Sequence, residues 1–144
     1  MSLFVIDASV AAKWFLPPSS EPLADEAWRL LTGYAQGRFR FAVPDLFWAE
    51  CVNILWKAVR QGRWTRRAAE KAILALKGRS FPTTSSLELL EEAFSIAATF
   101  DRTVYDSLYV ALAVRCKAEL VTADLRLANA LAAYLPVKWL GAVA

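Results

Sequence analysis

The sequence predicts an α/β fold, a parallel β-sheet flanked by α-helices, in a single domain over residues 1–144. Three observations favour this class. The segment from Leu3 to Ile6 is apolar without alternation, which indicates a strand buried on both faces, as in a parallel sheet covered by helices. Further strand patterns recur between helical patterns along the chain. The 144 residues are 57% hydrophobic, enough for one substantial core.

Composition excludes several functional classes. The chain has no histidine, which removes Ser-His-Asp and Cys-His nucleophilic sites and His-ligated zinc, and leaves carboxylate chemistry. Cys51 and Cys116 lie in apolar helical patterns, so we expect reduced, buried thiols. No apolar run approaches the roughly 20 residues that span a bilayer, and Asp7 interrupts any signal peptide, so a cytoplasmic protein is expected. The net charge of +3 and pI near 9.0 permit a polyanionic partner.

The first strand ends on Asp7, beyond which ligands usually bind in parallel sheets. An alternative role is open, because Asp7 could simply cap a helix that starts near Ser9. The next predicted elements are a short helix over 7–15, a helix over 23–34 and a strand over 38–43, which Pro44 terminates.

The longest predicted helix runs from Asp45 to Arg60 and is apolar on most sides. Its polar residues fall on one narrow stripe: Glu50, Asn53, Lys57 and Arg60. Because such a helix is largely buried, the stripe faces either a strip of solvent or an internal cleft.

A basic turn follows, and Thr65 is a plausible cap for a helix over 66–77. The basic hairpin, residues 60–79, is the most positive part of the chain; its basic residues are Arg60, Arg63, Arg66, Arg67, Lys71, Lys77 and Arg79. Arg63, Arg66 and Arg67 are candidates for contacts with the phosphates of a polyanionic partner, although such a run is more often only a solvated face.

The second half of the chain supplies two more acids. The predicted elements are an edge strand over 80–84, helices over 86–100 and about 104–116, a strand over 119–122, a helix over 125–133 and a last strand over 137–140. Asp106 falls in the first turn of its helix, where the helix dipole stabilises a carboxylate that has no function. Asp124 follows a strand, as Asp7 does, so two strands of one sheet end in acids at the same edge.

Four segments of the sequence, 5–9, 44–53, 105–113 and 120–124, resemble in order the four motifs of the PIN-domain family. More narrowly, they resemble the VapC-type toxins of prokaryotic toxin-antitoxin pairs. This resemblance implies a three-layer fold with a parallel sheet between helices, an acidic pocket that holds Mg2+ or Mn2+, and endonucleolytic cleavage of RNA. It also implies a cognate antitoxin protein and a homodimer.

Carried over position by position, the family's acidic quartet corresponds to Asp7, Glu50, Asp106 and Asp124. The resemblance also assigns supporting positions to Ser9 and Thr122, and Asn53, on the polar stripe with Glu50, is a further supporting candidate. Two features depart from the pattern. Some relatives have a further acid shortly after the last one, but residues 125–127 here are Leu, Arg and Leu, so a second metal would have fewer ligands. Arg102, close to Asp106, reduces the expected negative charge.

Physical chemistry supports the same assignment. Several carboxylates that converge cannot all ionise at low cost, so a cluster implies raised pKa values or a bound cation. Oxygen ligands without His or Cys select Mg2+ or Mn2+. We expect Asp7 and Asp124 to be the principal ligands and Asp106 to be a ligand or the general base. Glu50 is expected to act partly through water.

Other classes fit less well. A receiver domain would show an acidic pair after its first strand, and a haloacid-dehalogenase-type phosphatase would need an aspartate where Ser9 stands. The main alternative is a non-catalytic binding module of the same fold, which grips nucleic acid or protein without cleavage. Six tryptophans and eight phenylalanines also exceed what a core of this size readily hides, which predicts an exposed apolar patch.

Overall fold

A computed structural model describes residues 2–143. Five strands form one sheet: β1 (Ser2–Ile6), β2 (Phe39–Pro44), β3 (Thr83–Thr84), β4 (Glu119–Thr122) and β5 (Val137–Trp139). The α-helices are α1 (Ala8–Ala11), α2 (Ala24–Ala35), α3 (Leu46–Arg60), α4 (Arg66–Lys77), α5 (Ser86–Phe100), α6 (Val104–Cys116) and α7 (Leu125–Leu131).

The sheet is parallel throughout, with the order β3-β2-β1-β4-β5. From the central β1 the chain first builds β2 and β3 on one side and then β4 and β5 on the other. The strand order therefore reverses between β1 and β4, and in open parallel sheets ligands bind beyond the carboxyl ends of the strands at such a point. The predicted parallel sheet flanked by helices is confirmed.

Helix α6 is the central helix of the core. Seven consecutive residues, from Ser107 to Ala113, are buried, and the helix packs against β1, β2, β4 and α5. Its sequence is apolar on every side, which suits a helix enclosed between a sheet and another helix. This enclosure fixes the first turn of α6, and with it Asp106, near the carboxyl ends of the strands.

Helix α3 matches its predicted extent and buries Phe47, Cys51, Leu55 and Ala58. It ends before Gly62, whose φ of +73° is a left-handed conformation that glycine adopts without steric cost. The next helix begins as predicted, since the Thr65 hydroxyl accepts a 3.1 Å hydrogen bond from the backbone N–H of Ala68.

Several predicted boundaries differ. The helix predicted over 7–15 is the single turn α1 followed by a 3-10 turn over Ala12–Trp14, and Pro17 and Pro18 prevent the helix from continuing. The Trp14 indole N–H donates to the carbonyl of Ala27 and so links this turn to α2. The strand predicted over 80–84 retains only Thr83 and Thr84, while α7 and β5 end two residues and one residue early.

Both cysteines are free. Cys51 is buried as expected, whereas the expectation of burial is wrong for Cys116. That residue ends α6 and is half-buried at the edge of a cavity. Within residues 2–143, no helix is long and apolar enough to cross a membrane.

Candidate active site

The two acids that follow β1 and β4 lie side by side because these strands are neighbours in the sheet. The backbone N–H of Asp7 continues the ladder by donating to the carbonyl of Val121, at 3.2 Å. Asp7 and Asp124 thus occupy the point where the strand order reverses. This arrangement agrees with the prediction that β1 and β4 end in acids at the same edge of the sheet.

Asp7 is the deepest of the acids, with 9% of its surface exposed. One carboxylate oxygen accepts from the backbone N–H of Ser9 at 3.3 Å, so the capping role exists. The other accepts from the hydroxyl of Thr122 at 2.7 Å. Burial raises the pKa of Asp7 to about 6, although these two hydrogen bonds oppose the shift. The charges of Asp106 and Glu50 add smaller increases.

Two hydroxyl side chains link the loops after β1 and β4. Thr122 is completely buried, and its oxygen accepts from the backbone N–H of Asp124 at 3.0 Å while its hydroxyl donates to Asp7. The hydroxyl oxygen of Ser9 accepts from the backbone N–H of Ala123 at 3.1 Å. Both hydroxyls therefore hold together the two loops that carry Asp7 and Asp124.

Asp124 caps α7. Its Oδ1 accepts from the backbone N–H groups of Arg126 and Leu127, at 3.0 and 3.2 Å. Within residues 2–143 no hydrogen bond reaches its Oδ2. One oxygen thus holds the side chain in place, and the second is available to a ligand.

Glu50 reaches the same site from α3 and is held by a tyrosine of α6. The Tyr109 hydroxyl donates to Glu50 Oε1 at 2.6 Å, and the tyrosine is only 2% exposed. Burial raises the pKa of Glu50, the hydrogen bond from Tyr109 opposes this rise, and the charge of Asp106 adds to it. Burial also raises the pKa of Tyr109, so its hydroxyl remains a donor.

Asp106 completes the group from the first turn of α6. The backbone N–H of Asp106 donates to the Thr103 hydroxyl oxygen at 3.0 Å, which starts the helix. Burial raises the pKa of the Asp106 carboxyl, the Thr103 side chain opposes the rise, and the charge of Asp124 increases it. The positive charge of Arg102 lowers the pKa of Asp106, as expected, but this effect is the smallest of the four.

All four acids line one cavity of about 220 Å3. Its remaining lining residues are Ala8, Ser9, Asn53, Ile54 and Lys57. Three members of the α3 polar stripe therefore line this cleft, in which Asn53 and Lys57 remain exposed to solvent. A larger cavity of about 970 Å3 lies at the opposite edge of the sheet, but Glu119 is the one acid in its lining.

The donor atoms of the cavity suit a hard divalent cation. They are carboxylate oxygens, with no imidazole or thiolate, and four acids face a single ammonium group, that of Lys57. The raised pKa of Asp7 shows that the side chain is poorly stabilised as an anion by the protein alone. In residues 2–143, however, no three His, Cys, Asp or Glu side chains are already spaced to hold one metal ion.

Sequence reasoning missed two residues of the site. Tyr109 lies three residues after Asp106 and looks like an ordinary core aromatic until its hydroxyl is seen on Glu50. Lys57 was placed on the α3 stripe but not assigned to the cavity that it lines. Lys57 lies seven residues after Glu50, which puts both side chains on one helix face, and this spacing could have indicated that they share a cavity.

The basic hairpin does not line the acidic cavity. Arg63 pairs with Glu21 at 3.6 Å, and Arg66 pairs with Glu70 at 3.7 Å along α4. Arg67 is exposed. Part of this positive charge is therefore neutralised within the protein.

Comparison with known proteins identifies relatives over nearly the whole chain. The PIN domain family model matches residues 4–131. Ribonuclease VapC3 from Pyrobaculum aerophilum is 32% identical over 127 residues, covering 87% of this chain and 92% of that protein.

Solved structures share the fold. The crystal structure of PAE2754 from Pyrobaculum aerophilum matches with a TM-score of 0.66 and 25% identity, over 90% of this chain and 79% of that one. A toxin-antitoxin complex from Klebsiella pneumoniae matches with a TM-score of 0.62 and 17% identity, over 96% of each chain. The chain therefore belongs to the PIN domain family, in its VapC-type branch.

Proposed function

We propose that this protein is an endoribonuclease that depends on Mg2+ or Mn2+ and acts as the toxin of a type II toxin-antitoxin pair in the cytoplasm. The observation that carries the proposal is the single cavity lined by Asp7, Glu50, Asp106 and Asp124 at the carboxyl ends of the strands. The name of the Pyrobaculum relative, a ribonuclease, supports RNA as the substrate.

Asp7, Asp106 and Asp124 would hold the cation. When bound, the cation lowers the pKa of a water ligand and neutralises charge on the phosphate. Asp124 contributes the oxygen that the α7 cap leaves open, and Asp7 is fixed by Thr122 and Ser9.

We assign to Glu50, rather than to Asp106, the role of the general base that takes the proton of the attacking water. Tyr109 holds one carboxylate oxygen and leaves the other available. Burial raises the pKa of Glu50 toward neutral pH, and a general base is more effective when its pKa is near the working pH. Asn53, three residues after Glu50 on the same helix face, is a candidate hydrogen-bond donor to the RNA.

The direct test is cleavage of labelled single-stranded RNA by the wild type, with Mn2+, with Mg2+ and with EDTA. We expect cleavage with the metals, none with EDTA, and loss of cleavage in both Asp7→Asn and Asp124→Asn. Asp101→Asn is a matched control, because Asp101 is an exposed aspartate at the end of α5. Circular dichroism verifies that each variant is folded.

Two results would contradict the nuclease proposal. A folded Asp124→Asn variant that cuts at the wild-type rate would remove this acid from the site. A wild type that binds RNA but never cuts it, under any of the three conditions, would favour the non-catalytic binding module.

We infer further that a cognate antitoxin covers an apolar groove between α3 and α4. The groove has a volume of about 250 Å3 and is lined mainly by apolar side chains: Val52, Leu55, Trp56, Val59, Ala69 and Ile73. Trp56 is 53% exposed, although a tryptophan is costly to leave in water. The Klebsiella pneumoniae structure, a toxin-antitoxin complex, supports a partner of this kind.

Substitution of Trp56 tests the groove. We expect Trp56→Ser to weaken binding of the antitoxin encoded by the neighbouring reading frame at least roughly tenfold, since buried tryptophans dominate interfaces. Cleavage by the isolated protein should not change. Trp28→Ser is the control, because Trp28 is also exposed but lies on α2. Equal affinities of the two variants would refute this location.

A second apolar face supports the proposed homodimer. Leu87, Leu90 and Phe94 lie on one side of α5 and are all exposed, Phe94 by 67%. We expect Phe94→Glu to turn a dimer into a monomer in light scattering, whereas Leu74→Glu, at an exposed position of α4, leaves the dimer intact. A wild type that is monomeric at high concentration would contradict the dimer.

A further inference from the structure

Lys57 is the single cation in the lining of the acidic cavity. It lies one further turn along α3 from Asn53 and two turns from Glu50, so the three side chains form one row. The side chain is exposed, and within residues 2–143 no carboxylate lies within ion-pair distance of its ammonium group. A positive group that borders four acids without pairing with any of them is available to an anion that enters the cavity.

Arg60 continues the row by one turn and is also exposed. It too has no ion-pair partner in the described part of the chain. Two other arginines of the hairpin, Arg63 and Arg66, differ from Arg60 because each has a glutamate partner. Free positive charge thus leads out of the cavity along α3.

We propose that Lys57 binds the phosphate at the cleavage site and Arg60 binds a neighbouring phosphate, so that single-stranded RNA enters along the polar row of α3. This inference rests on the proposed nuclease function and names the substrate contacts of the same site. Contacts of this kind go to the backbone, so they position any RNA without reading its bases. Arg63 instead pairs with Glu21, and Arg66 pairs with Glu70 on the same helix.

A different reason exists for cations at this place. Lys57 and Arg60 lie in the last turn of α3, where positive charge is favourable to the helix dipole. That role predicts lower stability in the variants and no change in RNA binding. Melting temperature and RNA affinity measured on the same proteins separate the two roles.

The experiment measures binding of fluorescent single-stranded RNAs of unrelated sequence in a cleavage-deficient Asp124→Asn background, over a series of salt concentrations. Lys57→Gln should weaken binding to all of the RNAs and reduce the slope of log affinity against log salt by about 0.7, the value for one lost phosphate contact. Adding Arg60→Gln should double that reduction. The matched double variant Arg63→Gln, Arg66→Gln should leave the slope unchanged.

Cleavage by the enzyme with Asp124 intact separates the two positions. In single-turnover reactions with Mn2+, Lys57→Gln should be slower even at saturating RNA, whereas Arg60→Gln should only require more RNA. An unchanged salt slope for the Lys57, Arg60 pair would overturn the inference, as would a slope that falls only in the Arg63, Arg66 pair. If the Lys57 and Arg60 variants bind RNA more weakly but the wild type never cleaves it, the nuclease proposal is refuted and the proposed RNA contacts of Lys57 and Arg60 stand.

Discussion

Replacing Asp7 by asparagine should make the metal-free protein more stable at high pH and leave its stability unchanged at low pH. Folding raises the pKa of this carboxyl from 3.8 to about 6, mainly by burial. The folded state therefore binds the proton more tightly than the unfolded state. The contribution of Asp7 to stability is complete below about pH 4 and is lost as the pH rises through about 6.

The size of the loss follows from the shift in pKa. A difference of about 2.2 units corresponds to roughly 3 kcal/mol of unfolding free energy at pH values above both pKa values. For a chain of this length, that is roughly 6–12 °C in melting temperature. Asparagine has no charge to desolvate, and its side chain can still accept from the N–H of Ser9 and donate to the oxygen of Thr122.

The measurement is urea unfolding of wild type and Asp7→Asn in EDTA, at several pH values between about 4 and 8. We expect the difference in unfolding free energy to grow from near zero to as much as about 3 kcal/mol. Asp101→Asn, at an exposed site, should show no such trend. A difference that does not vary with pH, or an asparagine variant that is less stable at pH 8, would refute this account of the site.

Two further predictions concern the other acids. Tyr109→Phe removes the hydrogen bond to Glu50, which should cost about 1.5–3 kcal/mol of unfolding free energy and weaken Mn2+ binding in calorimetry; unaltered Mn2+ affinity would show that Tyr109 serves packing alone. Asp106→Asn should melt higher than wild type in EDTA, because burial and Asp124 disfavour its charge, and should gain less on addition of Mn2+. An unchanged metal response would remove Asp106 from the site.

The strands and the edge that carries the acids were predictable because they depend on local patterns. Apolar runs without alternation mark buried strands, and Asp7 and Asp124 follow two of them directly. The caps were equally local, as Thr65 and Thr103 show. These features need only neighbouring residues, and the chain follows its local preferences there.

The contacts between distant elements were not predictable in the same way. Tyr109 and Glu50 are 59 residues apart, and nothing in either motif reveals the hydrogen bond between them. The ion pair of Arg63 likewise depends on a distant residue, Glu21, from a loop that precedes α2. A run of arginines has the same sequence pattern whether its charges are free or paired, so the sequence alone could not reveal that Arg63 has an acidic partner from another part of the fold.

The four acids are held to different degrees, which suits the proposed site, where a cation would be bound beside a long substrate. Asp7 has hydrogen bonds to both oxygens, on a loop locked to its neighbour by Thr122. Asp124 and Glu50 each have one oxygen held. Asp7 is therefore the most firmly held of the acids, whereas the free oxygens of Asp124 and Glu50 would have to move toward a cation, because no three acids within residues 2–143 are already spaced to hold one. If the proposed function is correct, the longer side chains on the α3 side of the cavity can adjust to RNA while Asp7 stays fixed.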